Sequence, residues 1–369
     1  MIKLYGSQFS LYTGKARSYL KKKGIQFEEI TSTMSVYKNF IVPRAGVRFV
    51  PVIQTDDDVV IQDTTVIIDA MEQVYPERSV YPSTPRLKLA SLLLEVYGDE
   101  WLVIPAMHYR WNFPKKNDKF IYAAFGSLVL PGAPKFIQRI FGKKIGAKFK
   151  SFVPRLGINS DNIPAIEASY EQLLSDLNCH FKEHDFLFGG RPSIGDFGLI
   201  GPLYAHLYRD PAPGELIKRI APEVCAWVER MISDEVPKGQ FLANDEVPQT
   251  LMPILQRMAS EQLPVLLDTD QRLTEWRKAN PGCREVARFI GTHKFVVENV
   301  ESERAVLPFA LWMYKRPVDF YSGLEDKSSA DQMLETAGFG SALQSGLQNH
   351  LAKVNNIIVF EDWKPDQDS

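Results

Sequence analysis

The chain has 369 residues but only three cysteines, Cys179, Cys225 and Cys283, scattered with no CxxC pair among them. This argues against a disulfide framework and a dithiol redox centre, and it fits reduced thiols in a cytosol. The six histidines show neither HExxH nor any paired ligand spacing, so no metal site is expected. Excess charge is missing as well: a formal net charge of -2 gives no global pull toward nucleic acid or an anionic membrane. Long apolar runs are absent. The longest stretch free of Asp, Glu, Lys, Arg and His, Phe120 to Pro134, is interrupted by Gly126, Pro131, Gly132 and Pro134 and is shorter than the ~20 helical residues that span a bilayer. The opening "MIKLYGSQFS" lacks a charged start followed by a long apolar core, so it reads as a first strand, and a soluble cytoplasmic protein is expected.

What is present is an ordinary globular composition, 45% apolar and 24% charged, in a chain long enough for two or three domains. Residues 1–80 alternate element types. A strand at Ile2–Tyr5 leads into a helix at about Thr13–Lys23 that Gly24 stops, and "FEEIT" reads as a second strand. "FVPVIQT" and "DVVIQ" read as strands joined by an acidic turn, and "TTVIIDAMEQVY" as a helix with one apolar side. Residues 86–247 then turn helical, with "RLKLASLLLEVYGDEWLVIPAMHYRW", "IPAIEASYEQLLSDLNCHFKEH" and "SIGDFGLIGPLYAHLY" as long amphipathic segments. The third block, 248–369, has mixed signals, a late strand in "NIIVFEDW", and no motif that points to a reaction.

Three features of the N-terminal block carry chemistry. "SLYT", Ser10 to Thr13, keeps CxxC spacing with hydroxyls in place of thiols; alone it reads as a helix cap, with Thr13 suited to that role. Val50-Pro51 puts a proline at the start of a strand, where a cis bond would leave the Val50 backbone able to pair with an extended, peptide-like ligand; an edge-strand proline is the plain alternative. Asp63 and Thr64 open a helix, where N–H groups and the helix dipole favour a carboxylate and the Asp63 side chain can take an ammonium. Such a pair suits the α-amino acid end of a ligand.

The order of "SLYTGKARSYLKKKGI", "GVRFVPVI" and "IQDTTVIIDAMEQ" resembles the thioredoxin-like N-terminal domain of the glutathione S-transferase family. "FLFGGRPSIGDFGLI", with Ser193 and Asp196 spaced as a capping box, resembles that family's helical domain. Glutaredoxins are a related likeness. The resemblance implies an α/β thioredoxin-like domain followed by an all-α helical bundle, with an extra C-terminal block. It also implies glutathione as cosubstrate, a homodimer, and roles for individual residues. Ser10 would face the glutathione sulfur, with Tyr5 second and Tyr12 third as rivals. Val50 before Pro51 would pair with the cysteinyl backbone, and Asp63 with Thr64 would hold the γ-glutamyl end. Arg48 or Arg44 would hold the glycyl carboxylate.

A free thiol of pKa ~8.5 is mostly protonated at neutral pH, and lowering it by ~2 units takes about 2.7 kcal/mol. The Ser10 hydroxyl, the helix N-terminus and the nearby Lys15 or Arg17 are expected to share that load. Because serine cannot form a mixed disulfide, the expected reaction is attack of the glutathione thiolate on a hydrophobic electrophile, aromatic ones included, by conjugation, ether cleavage or isomerisation. The alternative is a non-catalytic scaffold of the same fold that senses glutathione or binds protein.

Two further segments stand out. Residues 120–160 contain no acid, and in 135–155 lysines and arginines interleave with Phe136, Ile137, Ile140, Phe141, Ile145 and Phe149. This describes a solvated helix over the bundle, a lid, or a peripheral contact with an anionic surface. "GDEWLVIPAMHYRW" gathers aromatics and His108 on one helix, where core packing and a satisfied structural histidine are the favoured readings.

Overall fold

The computed structural model describes residues 1–362. Four strands form a mixed sheet in the order β2-β1-β3-β4: β1 (Ile2–Gly6), β2 (Phe27–Thr31), β3 (Val52–Gln54) and β4 (Val60–Gln62). β2 runs parallel to β1, so a crossover must join them, and α1 (Leu11–Lys23) supplies it. β3 and β4 are antiparallel to their neighbours and need only the turn through Asp56–Asp58. Alternation along the strands assigns the two faces. Leu4 and Ile53 pack with Ile67 and Ile68 of α4 (Thr64–Val74), whereas Tyr5 and Val52 pack with Ile41 on the other side. That second side is covered by α2 (Met34–Val36), a π-turn at Tyr37–Ile41 and α3 (Val42–Ala45).

The helical part follows with α5 (Pro85–Val96), α6 (Val103–Trp111), α7 (Pro114–Ser127), α8 (Lys135–Lys150), α9 (Ile163–His180), α10 (Ile194–Ala205), α11 (Pro211–Ile220) and α12 (Pro222–Ile232). The expected single helix from Arg86 to Trp111 is instead two helices joined by a π-turn at Tyr97–Trp101. Pro105 explains the change: it has no N–H to give to the Trp101 carbonyl, so the regular ladder cannot continue. Ser193 and Asp196 form the capping box of α10, and Asp196 also accepts from Leu187 N–H at 3.1 Å and Trp227 Nε1 at 3.0 Å. The acid thereby ties three segments of the bundle together.

The C-terminal block contains α13 (Met252–Arg257), α14 (Leu263–Ala279), a hairpin of β5 (Thr292–Val297) and β6 (Val300–Ala305), α15 (Pro308–Ser322), α16 (Ser328–Thr336), and a second hairpin of β7 (Leu351–Val354) and β8 (Ile357–Phe360). β8 lies inside "NIIVFEDW", whose last residue, Trp363, is outside the described residues. This block is not an appendage: one continuous apolar core runs from Ile2 through the bundle to Phe360.

A buried charge network reinforces the join. Lys15 on α1 donates to Glu95 at 2.7 Å and Asp99 at 2.5 Å, and Arg316 on α15 bonds Glu95, Tyr81 at 2.8 Å and Asp69 at 2.9 Å. Removing one cation from such a set leaves a carboxylate buried without its partner, which costs several kcal/mol. Arg316→Met is therefore expected to lower unfolding stability by about 3 kcal/mol. Denaturant titration checks this; a midpoint equal to the parent's would mean that the C-terminal block is not held through this contact.

Candidate active site

Three element ends meet at one edge of the first sheet. Val52 pairs with Tyr5 on β1 and with Gln62 on β4, so Gly6, Pro51 and Asp63 come together one step further along. The Asp63 N–H donates to the Pro51 carbonyl at 3.4 Å. α1 and α4 both begin at this edge, and the Val50-Pro51 peptide is cis. Val50-Pro51 and Asp63-Thr64 are thereby assembled by strand register, and Ser10 lies on the turn that leads from the end of β1 into α1.

Ser10 is the N-cap of α1, with extended φ and ψ of -86° and 125°, and its Oγ accepts the Thr13 N–H at 3.3 Å. The expectation that Thr13 caps this helix is corrected. Thr13 lies buried inside α1, where its Oγ1 accepts the Ser7 N–H at 3.3 Å. A Cβ on Gly6 would fall 2.2 Å from Thr13 Cγ2, so the strand must end in glycine for the threonine to sit beneath the turn. The Ser10 oxygen is thus used as an acceptor, and its O–H proton is left to donate.

The two rival hydroxyls both donate to protein acceptors. Tyr5 stacks on Phe40 at 4.1 Å, and its hydroxyl donates to Gln54 Oε1 at 2.8 Å beneath the 34–45 segment. Burial raises its pKa. Tyr12 donates to the Asp99 carbonyl at 3.3 Å, and lost hydration, followed by the Glu100 carboxyl, raises its pKa well above the usual value.

Lys15 and Arg17 do not lend charge to this edge, which corrects a second expectation. Lys15 points into the core toward Glu95 and Asp99, where salt bridges offset its burial, and Arg17 is bound by the Glu29 carboxylate at 2.5 and 2.6 Å. Arg44 is drawn to Asp58, with its Nη2 2.7 Å from the Asp58 carbonyl, while Arg48 is exposed beside Phe49. His108 is buried and held at both nitrogens, by Glu167 at 2.9 Å and Asn112 at 2.9 Å.

Asp63 has φ 90°, a conformation that a residue with a Cβ rarely takes. Strain of this kind persists where the surroundings over-determine it, commonly at sites of function. One carboxylate oxygen caps α4 by accepting the Thr65 N–H at 3.0 Å. The other lies 3.6 Å from Lys353 Nζ, which also donates to Gln62 Oε1 at 2.9 Å. The second C-terminal hairpin therefore places an ammonium beside the carboxylate that spacing alone reserves for a ligand. Asn356 on the same hairpin fastens it to the Ala45 carbonyl at 2.8 Å. From a different part of the block Arg288 lies over Phe49 at 5.1 Å and Phe152 at 5.1 Å, with its charge felt by Tyr12.

Behind Tyr12, Glu100 is buried on the π-turn, and its pKa is pushed up to about 8 by lost hydration and then by the Asp99 charge. Glu100, Gln262, His293 and Arg304 line one small cavity, and each has a buried polar atom without a protein partner. Lys353, Arg288 and Glu100 all escape a reading by spacing. The one sequence signal is Glu100 itself, an acid in the otherwise aromatic and apolar run "EWLVIPAM".

A mixed sheet with a cis-proline edge, joined to a helical bundle through α1, α5 and α10, defines a thioredoxin-like domain coupled to an all-helical domain. Residues 4–79 match the family described as Glutathione S-transferase, N-terminal domain, and residues 161–235 the one described as Glutathione S-transferase, C-terminal domain. Both domains of that family, in their usual order, are thus matched within the chain. It is 24% identical to mouse glutathione S-transferase omega-2 over 98 residues, 26% of this chain and 40% of that relative, so the match spans less than half of the relative's length. Among solved structures it is similar to the beta-etherase LigF from Sphingobium sp. strain SYK-6, with 18% identity, 62% of this chain and 94% of that one covered, and a TM-score of 0.44. It is also similar to a glutathione S-transferase from Rhodospirillum rubrum F11, with 17% identity, 69% and 92% covered, and a TM-score of 0.41.

The raised Glu100 pKa has a consequence for stability. A carboxyl that ionises near pH 4.5 when unfolded and about 8 when folded binds its proton more tightly in the native state, so its contribution is complete below pH 4.5 and is lost as pH rises to 8. Glu100→Gln should remove this part of the decline, which has a limiting slope of about 1.4 kcal/mol per pH unit. Unfolding titrations of parent and variant between these pH values check it; parallel profiles would show that Glu100 is ionised in the fold.

Proposed function

We propose that this protein binds glutathione at the sheet edge and activates its thiol for attack on a hydrophobic electrophile. The observation that carries the reading is that Val50-Pro51 and Asp63-Thr64 meet beside the end of β1, which leads through Ser10 into α1, with the Ser10 proton uncommitted. In this reading the Ser10 O–H donates to the thiolate and the N-terminus of α1 adds its partial positive charge. The Val50 backbone pairs with the cysteinyl unit, and Asp63 with the first N–H groups of α4 takes the γ-glutamyl end. Arg288, together with Arg48, supplies the cation for the glycyl carboxylate. The thiol proton passes to solvent, the sulfur lone pair forms the S–C bond, and the leaving group departs with the electron pair of the bond that breaks. The division of labour follows the chain: 1–80 for glutathione, 86–247 for the electrophile, and 248–369 as a cover over both, in a cytoplasmic homodimer.

Calorimetric titration with millimolar glutathione tests the binding step, and absence of heat would sink the enzyme reading. Ser10→Gly is the sharper variant for the chemical step, because glycine costs only a few tenths of a kcal/mol as an N-cap while it removes the hydroxyl. Thiolate absorbance of the bound complex should show the glutathione pKa rising by about one unit, equivalent to one hydrogen bond of about 1.4 kcal/mol. An unchanged pKa would remove Ser10 from the mechanism.

The contact of Lys353 with Asp63 favours a second reading, a non-catalytic scaffold in which the C-terminal hairpin holds the site closed. If the ligand ammonium competes with Lys353, Lys353→Met should tighten glutathione on the order of tenfold. Equal affinities in parent and variant would show that the two ammonium groups do not share Asp63.

A further inference from the structure

α7 and α8 form an antiparallel pair held very close: a Cβ on Gly142 would lie 1.8 Å from the Tyr122 carbonyl oxygen, and one on Gly126 would lie 1.8 Å from that of Gln138. Gln138, Gly142 and Gly146 are the buried residues of α8, so one side of this helix seats on α7. The opposite side has nothing over it. Phe136 is 65% exposed and Ile140 69%, and with Ala147 they form a line at helical spacings of four and seven. About 100° of turn per residue puts Arg139, Lys143 and Lys150 along one flank of that line and Lys144 and Lys148 along the other. Phe141 and Phe149, each 47% exposed, widen the apolar area.

The charge on this face is uncompensated. No acid occurs between Asp118 and Asp161, and among the described residues none of the six basic side chains of α8 forms an ion pair. Yet the whole chain carries a net charge of only -2, so the positive field is local to this hairpin. We propose that the outer face of α8 is a docking surface for an anionic lipid membrane. Phe136 and Ile140 would enter the headgroup boundary while the flanking lysines keep their ammonium groups at the phosphates. A second copy of this chain does not suit the face, since two like rows of lysine would repel. An isolated apolar stripe would leave the partner open; the lysines on both flanks select a negatively charged, laterally extended one. Phe9 packs on Phe125 of α7 at 4.7 Å, so the hairpin is rooted one residue from Ser10. Docking through α8 thus brings the candidate site close to a reservoir of hydrophobic molecules, although the lipid contact does not require that site to be active.

Sedimentation of the full chain with phosphatidylcholine vesicles, and with vesicles containing one-quarter phosphatidylserine, tests this. Binding is expected to the second alone, at ~0.1 M salt where charges are felt over about 10 Å, and release at ~1 M where that length is about 3 Å. Lys143→Glu with Lys144→Glu should lower partitioning by tenfold or more, on the order of what two basic contacts with an anionic surface contribute. Phe136→Ser with Ile140→Ser should weaken it by about the same factor. Both pairs are exposed, and circular dichroism should be unchanged. Failure of the parent to sediment with anionic vesicles at low salt would overturn the proposal, as would equal sedimentation of parent and both variants. Retention by soluble polyglutamate without vesicle binding would also overturn it, and would assign the face to an acidic polypeptide. None of these results bears on glutathione titration, which reads a different edge of the molecule.

Discussion

The interaction on which the molecule depends is the buried set of charges around Glu95. Lys15 comes from the thioredoxin-like part, Glu95 and Asp99 from the start of the bundle, and Arg316 from the C-terminal block, so each region donates to one polar centre. Burial opposes the ionised form of the Glu95 carboxyl, but Arg316 and then Lys15 outweigh it and hold its pKa below the usual range. Such a centre adds less net stability than an apolar core would, but it tolerates no missing member. It therefore specifies how the three regions sit together.

That arrangement decides what the sheet edge offers to a ligand. Lys15 is consumed in the core and Arg17 is bound to Glu29, so neither cation of α1 faces this part of the sheet. Cations arrive from the far end of the chain instead: Arg288 above Phe49, and Lys353 beside Asp63. Docking of the C-terminal block through Arg316 and Asn356 thus sets both cations beside this part of the sheet.

Much of the first sheet and the bundle was legible because it rests on local rules. Alternation in "IKLY", the stop at Gly24 and the Ser193/Asp196 box each depend on neighbours a few residues away. Local rules failed where two of them competed. Either Ser10 or Thr13 could cap α1, and the choice fell to Ser10 because the space under Gly6 admits the Thr13 side chain. The long helix of the bundle was misread for a related reason: its apolar periodicity continues through Tyr97–Trp101, but periodicity does not register that Pro105 lacks a donor.

The sequence by itself determined the order of the four strands and two long helices of the first sheet, the lack of cysteine beside it, the family likeness and the one-signed charge of α8, since all of these are properties of short segments. Tertiary structure alone decided which hydroxyl caps α1, where Lys15 points, and that Lys353 meets Asp63. The last two outcomes turn on contacts between residues 80 or more positions apart, and the Lys353 contact with Gln62 spans 291. Spacing carries no information across such a distance, because the long loop is closed by packing of the intervening core rather than by any pattern in the residues that finally touch.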